Sequence, residues 1–171
     1  DSIIFAEKSG IDQINQFVLI DARGNERIIH TPGFIDPVKI SVKAGKIAWT
    51  EFKSNERWPK ESYSVIKLYD LKTDKEKLIA SRTRYFAADI SPDGQKIVTV
   101  EISLLNEYAL VILNSETGQV IGRIPSPANE FLQYPVWSSD GNKLFVTSLG
   151  TDGKSIQSYD LVTGVWEKIF N

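Results

Sequence analysis

Apolar residues in this chain come in short runs separated by turn-forming residues. Phe17-Val18-Leu19-Ile20, Lys96-Ile97-Val98-Thr99-Val100 and Lys143-Leu144-Phe145-Val146-Thr147 are rich in β-branched and aromatic side chains, as strands on a half-buried sheet are. Apolar spacing at i, i+3, i+4 and i+7 is not sustained over roughly a dozen residues anywhere, so helices are not expected. The pattern predicts an all-β fold.

The runs repeat. Ile40–Trp49, Ile90–Thr99 and Trp137–Val146 superpose, with Gly45, Gly94 and Gly141 spaced 49 and 47 residues apart. The first segment is one residue longer than the others before its Gly, which leaves its alignment there open. A second anchor, Ile20-Asp21, Tyr69-Asp70-Leu71, Leu113-Asn114 and Tyr159-Asp160-Leu161, recurs at spacings of 49, 44 and 46. Between the anchors each unit reads as four strands. The first carries the residue before Ser-x-Asp-Gly, where Gly tolerates positive φ and Asp bonds the turn. The second is Ile97–Ile102 or Leu144–Leu149. The third is Ser64–Tyr69, Tyr108–Leu113 or Ser155–Tyr159. The last is Lys77–Ala80, Val120–Ile124 or Trp166–Phe170. A four-stranded antiparallel unit recurring every ~40–50 residues marks a β-propeller blade.

These residues resemble the TolB-like, or Pro-Asp-type, WD-like β-propeller repeat. The last unit carries most of the motif: Pro135, Trp137, Ser138, Asp140 and Gly141, then Tyr159, Asp160, Thr163 and Gly164. The unit before it has Ser91, Pro92, Asp93 and Gly94, with Ala88 and Ile90 at the Pro and Trp positions. The unit before that keeps Gly45 and the following Lys-Ile. The recurrence of Asp70, Asp93, Asp140 and Asp160 argues for duty in turns. The expected architecture is one propeller segment over 1–171, with units near 1–33, 34–84, 85–133 and 134–171. That makes three full four-stranded antiparallel blades plus an incomplete first blade. A segment of a larger propeller is the leading expectation, and a compact four-bladed form is the alternative. Such repeats occur in the periplasmic Tol system, in tricorn-type proteases and in prolyl oligopeptidase-like enzymes, where the propeller is not the catalytic domain.

Composition narrows the chemistry. The 171 residues include no cysteine and no methionine and carry a formal net charge of −2. Thiolate metal sites and cysteine nucleophiles are excluded. Neither a nucleic-acid partner nor membrane insertion is expected. His30 is the only histidine, too few for a usual zinc set, and it stands at a strand end. Ser64-Val65-Ile66-Lys67 spells Ser-x-x-Lys, but within a strand those two side chains point to opposite faces. No nucleophile elbow, phosphate loop or EF-hand loop occurs, so no catalytic residue, metal or cofactor is assigned.

In a four-stranded meander the short Asp-Gly and Thr-Gly turns share one side and the longer loops share the other. Propellers generally bind on the loop side or in the central channel. Trp49, Trp137 and Trp166 read as packing residues, whereas Trp58 sits in a charged loop. Candidate contact residues are Arg57, Trp58, Arg82, Arg84, Tyr85, Glu130, Phe131 and Tyr134. The expected function is non-catalytic binding of a protein or peptide, within a larger periplasmic or cell-surface protein. Self-association through exposed blade edges is also expected. The rivals are an accessory, substrate-gating propeller of a peptidase and a carbohydrate-binding propeller.

Overall fold

A computed structural model describes residues 3–11, 14–35, 39–54 and 62–170. The chain divides into two compact units, Asp1–Ile35 and Asp36–Asn171.

In the first unit β1 (Ile4–Ser9), β2 (Asn15–Ile20) and β3 (Glu26–His30) form an antiparallel sheet, followed by the short β4 (Phe34–Ile35). This is the three-stranded first sheet that the sequence predicts. Asp21 closes its second turn by accepting the N–H groups of Arg23 and Asn25 at 2.8 and 2.9 Å. Phe17 meets Phe5 edge-on at 5.3 Å and the His30 ring at 6.0 Å, so His30 packs on an aromatic ring.

The second unit holds three sheets, each an antiparallel meander in chain order. The second sheet of the chain comprises β5 (Ser41–Lys43), β6 (Lys46–Ser54), β7 (Ser62–Asp70) and β8 (Lys75–Thr83). The third comprises β9 (Tyr85–Ile90), β10 (Lys96–Ile102), β11 (Tyr108–Asn114) and β12 (Val120–Pro125). The fourth comprises β13 (Phe131–Trp137), β14 (Lys143–Gly150), β15 (Gly153–Asp160) and β16 (Trp166–Phe170).

Period-two alternation makes the third sheet two-sided. Ile97 of β10 and Val111 and Leu113 of β11 join Ala48, Ile66, Leu68 and Ile79 of the second sheet in one buried cluster. The intervening Val98, Val100, Leu110 and Ile112 join Leu132, Trp137, Leu144 and Val146 of the fourth sheet in another. Successive residues on a strand face opposite ways, so one run such as Ile97-Val98-Thr99-Val100 feeds two interfaces. That is why it reads as continuously apolar.

Each recurring polar residue has a defined duty in the turns. Ser91 Oγ donates to Asp93 Oδ1 at 2.6 Å and accepts the Lys96 N–H at 2.9 Å, while Asp93 Oδ1 accepts the Gln95 N–H at 3.0 Å. Ser138 and Asp140 repeat this pattern with Lys143 and Asn142 at the same distances. Gly94 and Gly141 sit at φ +72° and +74°, where a side chain would strain the turn. On the next turn Asp70, Asn114 and Asp160 each accept two backbone N–H groups at 2.8–2.9 Å. Gly118, at φ +72°, also lets two sheets meet, because a Cβ there would lie 2.1 Å from the Ile79 carbonyl oxygen.

The register settles one detail of the repeat that the sequence leaves open. Val42 pairs with Ile47, as Ile90 pairs with Ile97 and Trp137 with Leu144. Val42 therefore occupies the Trp137 position. The β5–β6 hairpin needs only Ala44 (φ 51°) and Gly45 (φ 70°) at its tip, a turn with positive φ at both central residues. It is tighter than the Ser-x-Asp-Gly turns, and aligning the glycines slides the strand before them.

In this register Ser41, Asp89 and Val136 are equivalent. Asp89 in β9 is 2% exposed and joins three sheets. Its Oδ1 accepts from Ser41 Oγ at 2.9 Å and Lys39 Nζ at 3.3 Å. Its Oδ2 accepts from Lys43 Nζ at 2.7 Å and the Trp137 backbone N–H at 3.0 Å. Ser41 Oγ accepts the Ile90 N–H at 3.0 Å, and Trp137 Nε1 donates to the Asp89 carbonyl at 3.2 Å. Burial lowers the pKa of Lys39, the Asp89 charge opposes this, and Lys43 adds to the lowering.

Removing the carboxylate leaves two lysines and a buried N–H without their acceptor. Asp89→Ala is expected to lower stability by about 3–5 kcal/mol, and Asp89→Asn by less, in urea unfolding followed by tryptophan fluorescence. A second expectation concerns acid. Backbone N–H groups, of Thr73 and Thr163 foremost, hold the Asp70 and Asp160 carboxyls below the ordinary value. Their contribution is complete above about pH 4, the unfolded value. It is lost as pH falls through the lowered folded values. Replacing both by Asn, which Asn114 shows to fit the turn, should flatten the fall in urea midpoint between about pH 5 and pH 3.

Candidate functional site

The long-loop side of the second unit carries an aromatic pocket between the second and third sheets. It encloses about 150 Å³ and is lined by Phe52, Ser62, Tyr63, Ser64, Thr83, Arg84, Tyr85, Phe86 and Ile102. These are the ends of β6, β8 and β10 and the starts of β7 and β9. The meander therefore brings them together without a long loop.

Backbone bonds fix the walls. Tyr85 N–H donates to Ser64 Oγ at 2.9 Å, and Ser64 Oγ lies 3.1 Å from both the carbonyl and the hydroxyl of Thr83. Arg84 is exposed. Its Nε donates to the Ile102 carbonyl at 2.8 Å, while its own carbonyl accepts the Ile102 N–H at 3.1 Å. The terminal amino groups of its guanidinium have no partner among the described residues. Burial raises the Tyr85 phenol pKa, the Glu101 charge adds to it and Arg123 opposes it. The phenol therefore stays neutral and keeps its O–H to donate. The cavity offers an apolar socket with a hydroxyl and a guanidinium beside it.

An aromatic line runs on from the socket. Phe86 lies 6.1 Å from Phe131, which meets Tyr108 edge-on at 5.2 Å. Phe131 follows a tight turn in which Ala128 and Asn129 have φ 50° and 54°. Asn129 anchors that turn by accepting the Tyr108 N–H at 2.9 Å and donating to the Asn106 carbonyl at 3.1 Å.

The candidates from the sequence divide accordingly. Arg84 and Tyr85 line the pocket, and Phe131 adjoins it through Phe86. Arg82 is exposed at a bulge in β8 with φ 53°. Tyr134 is half-buried at the β13 bulge with φ 51°, a conformation that a bulky residue rarely adopts. Glu130 is engaged internally: its Oε2 accepts from Gln157 Nε2 at 2.5 Å, and Gln157 also donates to Ser148 Oγ at 2.8 Å. A Cβ on Gly150 would stand 2.7 Å from Glu130 Oε1, so the glycine makes room for this carboxylate. Arg57 and Trp58 lie outside the described residues.

Phe52, Tyr63, Phe86 and Ile102 are not among the sequence candidates, because each sits within a strand and reads as core. The usable signal was their position at strand ends on the loop side. Ser64 and Lys67 diverge as their strand spacing predicts. Ser64 bonds Thr83, whereas Lys67 pairs with Glu51 at 3.2 Å and Glu76 at 3.0 Å. Among the described residues no cluster of three or more His, Cys, Asp or Glu could hold a metal ion.

No protein-family model matches the sequence, and no curated protein matches it. Solved structures do match. TolB from Acinetobacter baumannii superposes with a TM-score of 0.72 at 19% identity, over 97% of this chain and 40% of that one. A putative TolB from Agrobacterium tumefaciens gives 0.75 at 16% identity, over 98% and 61%. The β-propeller domain of the Trilobed protease from Pyrococcus furiosus gives 0.60 at 19% identity, over 99% and 53%. The chain spans less than two thirds of each of these chains. The fold is that of β-propeller blades.

Phe131 ties two aromatic partners into the pocket's flank. Phe131→Ala should cost between about 1 and 3 kcal/mol, for two aromatic pairs, read as a lower urea midpoint.

Proposed function

We propose that the chain is a non-catalytic β-propeller segment that binds a protein or peptide on its loop side. The aromatic pocket takes an apolar side chain, and the free end of Arg84 takes a carboxylate next to it. The observation that carries this reading is the pocket itself. Its aromatic walls, pinned backbone and unpartnered guanidinium are the composition of an anchor site in protein recognition. A cavity of about 150 Å³ holds one side chain rather than a cofactor. The likeness to two TolB structures supports placing the parent protein in the periplasm or at the cell surface. The described residues include no helix long and apolar enough to cross a membrane.

A second reading is an accessory propeller that gates a peptidase. It is favoured by the likeness to the propeller domain of the Trilobed protease. Both readings leave the chemistry outside this chain and use the loop side for contact.

Peptides selected from a displayed random library against the whole chain provide the test. They should carry an aromatic or branched residue beside Asp or Glu. Arg84→Ala and Tyr85→Ala should each weaken them roughly tenfold, the first with its urea midpoint little changed and the second with a lower one, because Tyr85 also packs against the buried cluster. Selected peptides indifferent to both substitutions would remove the pocket from the site. Cleavage of peptides by the purified chain would overturn the non-catalytic assignment.

A further inference from the structure

The turn side carries a second cavity, independent of the aromatic pocket. It measures about 250 Å³ and lies between the Ser91–Gly94 turn of the third sheet and the Ser138–Gly141 turn of the fourth. Pro92, Asp93, Lys96, Trp137, Asp140 and Gly141 are among its walls.

The same place between the second and third sheets is filled by the chain itself. Lys46 occupies the repeat position of Lys96. It crosses to the third sheet, donates to the Gly94 carbonyl at 2.8 Å and the Ser115 hydroxyl at 3.4 Å, and lies 3.4 Å from Glu116 Oε1. Its side chain is only 15% exposed. Gly94 is buried, and Ala44 Cβ stands 2.8 Å from where a Gly94 Cβ would be. The molecule thus displays one occupant of such a cleft, an ammonium resting on a turn carbonyl.

One sheet later that occupant is missing. Gly141 is half-buried, and its carbonyl accepts no hydrogen bond among the described residues. Lys96 is exposed and its charge acts on Asp93, but its ammonium makes no hydrogen bond or close ion pair there. Leu161 and Val162 stand where Ser115 and Glu116 stood. Two carboxylates line the cleft instead. The Ser91 and Ser138 hydroxyls, foremost among their donors, hold Asp93 and Asp140 below the ordinary carboxylate value, so both are charged at neutral pH.

We propose that the cleft between the two Ser-x-Asp-Gly turns binds the side-chain cation of a partner protein, a lysine or arginine, in the place that Lys46 fills one sheet earlier. The cation rests on the Gly141 carbonyl between Asp93 and Asp140, with its aliphatic stem against Pro92 and Trp137. Charge complementarity selects it: two carboxylates against the single Lys96 leave the cleft net negative. Charge-assisted bonds to a carbonyl and a carboxylate are the stronger kind.

The test uses nitrogen-15 spectra of the whole chain titrated with N-acetyl-lysine methylamide, its arginine counterpart and the Nε-acetylated lysine compound. The Gly141 amide and the Trp137 indole N–H should shift saturably with the two cations and not with the acetylated control. The stronger of the two shows which cation the cleft prefers. Asp93→Asn with Asp140→Asn keeps an acceptor oxygen for each turn and should weaken binding roughly tenfold. Spectra away from the cleft should stay unchanged, showing that the fold is kept. Lys96→Gln should strengthen binding severalfold. The proposal would be overturned by no saturable shift, by an equal response to the acetylated control, or by an affinity unmoved by the double substitution. Binding seen only after Lys96→Gln would identify Lys96 as the occupant and equally overturn it.

Discussion

The second unit depends on one buried carboxylate. Apolar contacts drive its sheets together, but they are non-directional and tolerate sliding. Asp89 is directional. It draws Ser41, Lys39 and Lys43 from one side and the Trp137 backbone from the other. A buried charge is costly unless its partners surround it, so only the register that supplies all four donors is well satisfied. The two apolar clusters flanking the third sheet lie on either side of this point. Their alignment across the sheets follows from it.

The relay also shows how a repeat can be built from unlike residues. Ser41 accepts the N–H of Ile90, and Asp89 accepts the N–H of Trp137. The position offers an acceptor to the next sheet whether it is a hydroxyl or a carboxylate. In the fourth sheet Val136 occupies it, exposed at 36% and without an acceptor. The turns show the same tolerance. Asn114 makes the bonds that Asp70 and Asp160 make, so the turn requires the side-chain oxygen and not the charge.

Much of the fold was legible because turns leave local signatures. Gly at positive φ and Ser, Asp or Asn at fixed offsets act within a few residues, and the period followed from them. Strand alternation then gave the two-sided third sheet. What was not legible depends on pairings across sheets. The Ala44-Gly45 hairpin leaves the strand before it open to more than one alignment in sequence, because the glycine does not keep a constant offset from that strand, and only strand pairing fixes Val42. Asp89 lay in plain view as a charge within Phe86-Ala87-Ala88-Asp89-Ile90. Its partners, however, stand 46 to 50 residues away, beyond any local signal. Of the candidate site, Arg84, Tyr85 and Phe131 followed from the topology of the loop side. The pocket's inner walls did not, since Phe52 and Phe86 look like core until the strand ends are known to be open.

Departures from the period are therefore more informative than the period itself. Where the repeat is kept, residues do the same work in every sheet, and a partner would meet the same surface several times over. Specific contact requires a place that the repeat does not reproduce. The two cavities meet that condition in opposite ways. The aromatic pocket forms at strand ends, where Arg84, pinned to Ile102 through Nε, leaves its terminal amino groups free. The polar cleft forms where Ser115 and Glu116 give way to Leu161 and Val162, and where no lysine crosses as Lys46 does. A scaffold held in register by Asp89 can lose such contacts without losing its fold, because the clusters and the turns are satisfied independently of them. That separation of stability from surface lets one blade pattern present different surfaces on different sheets.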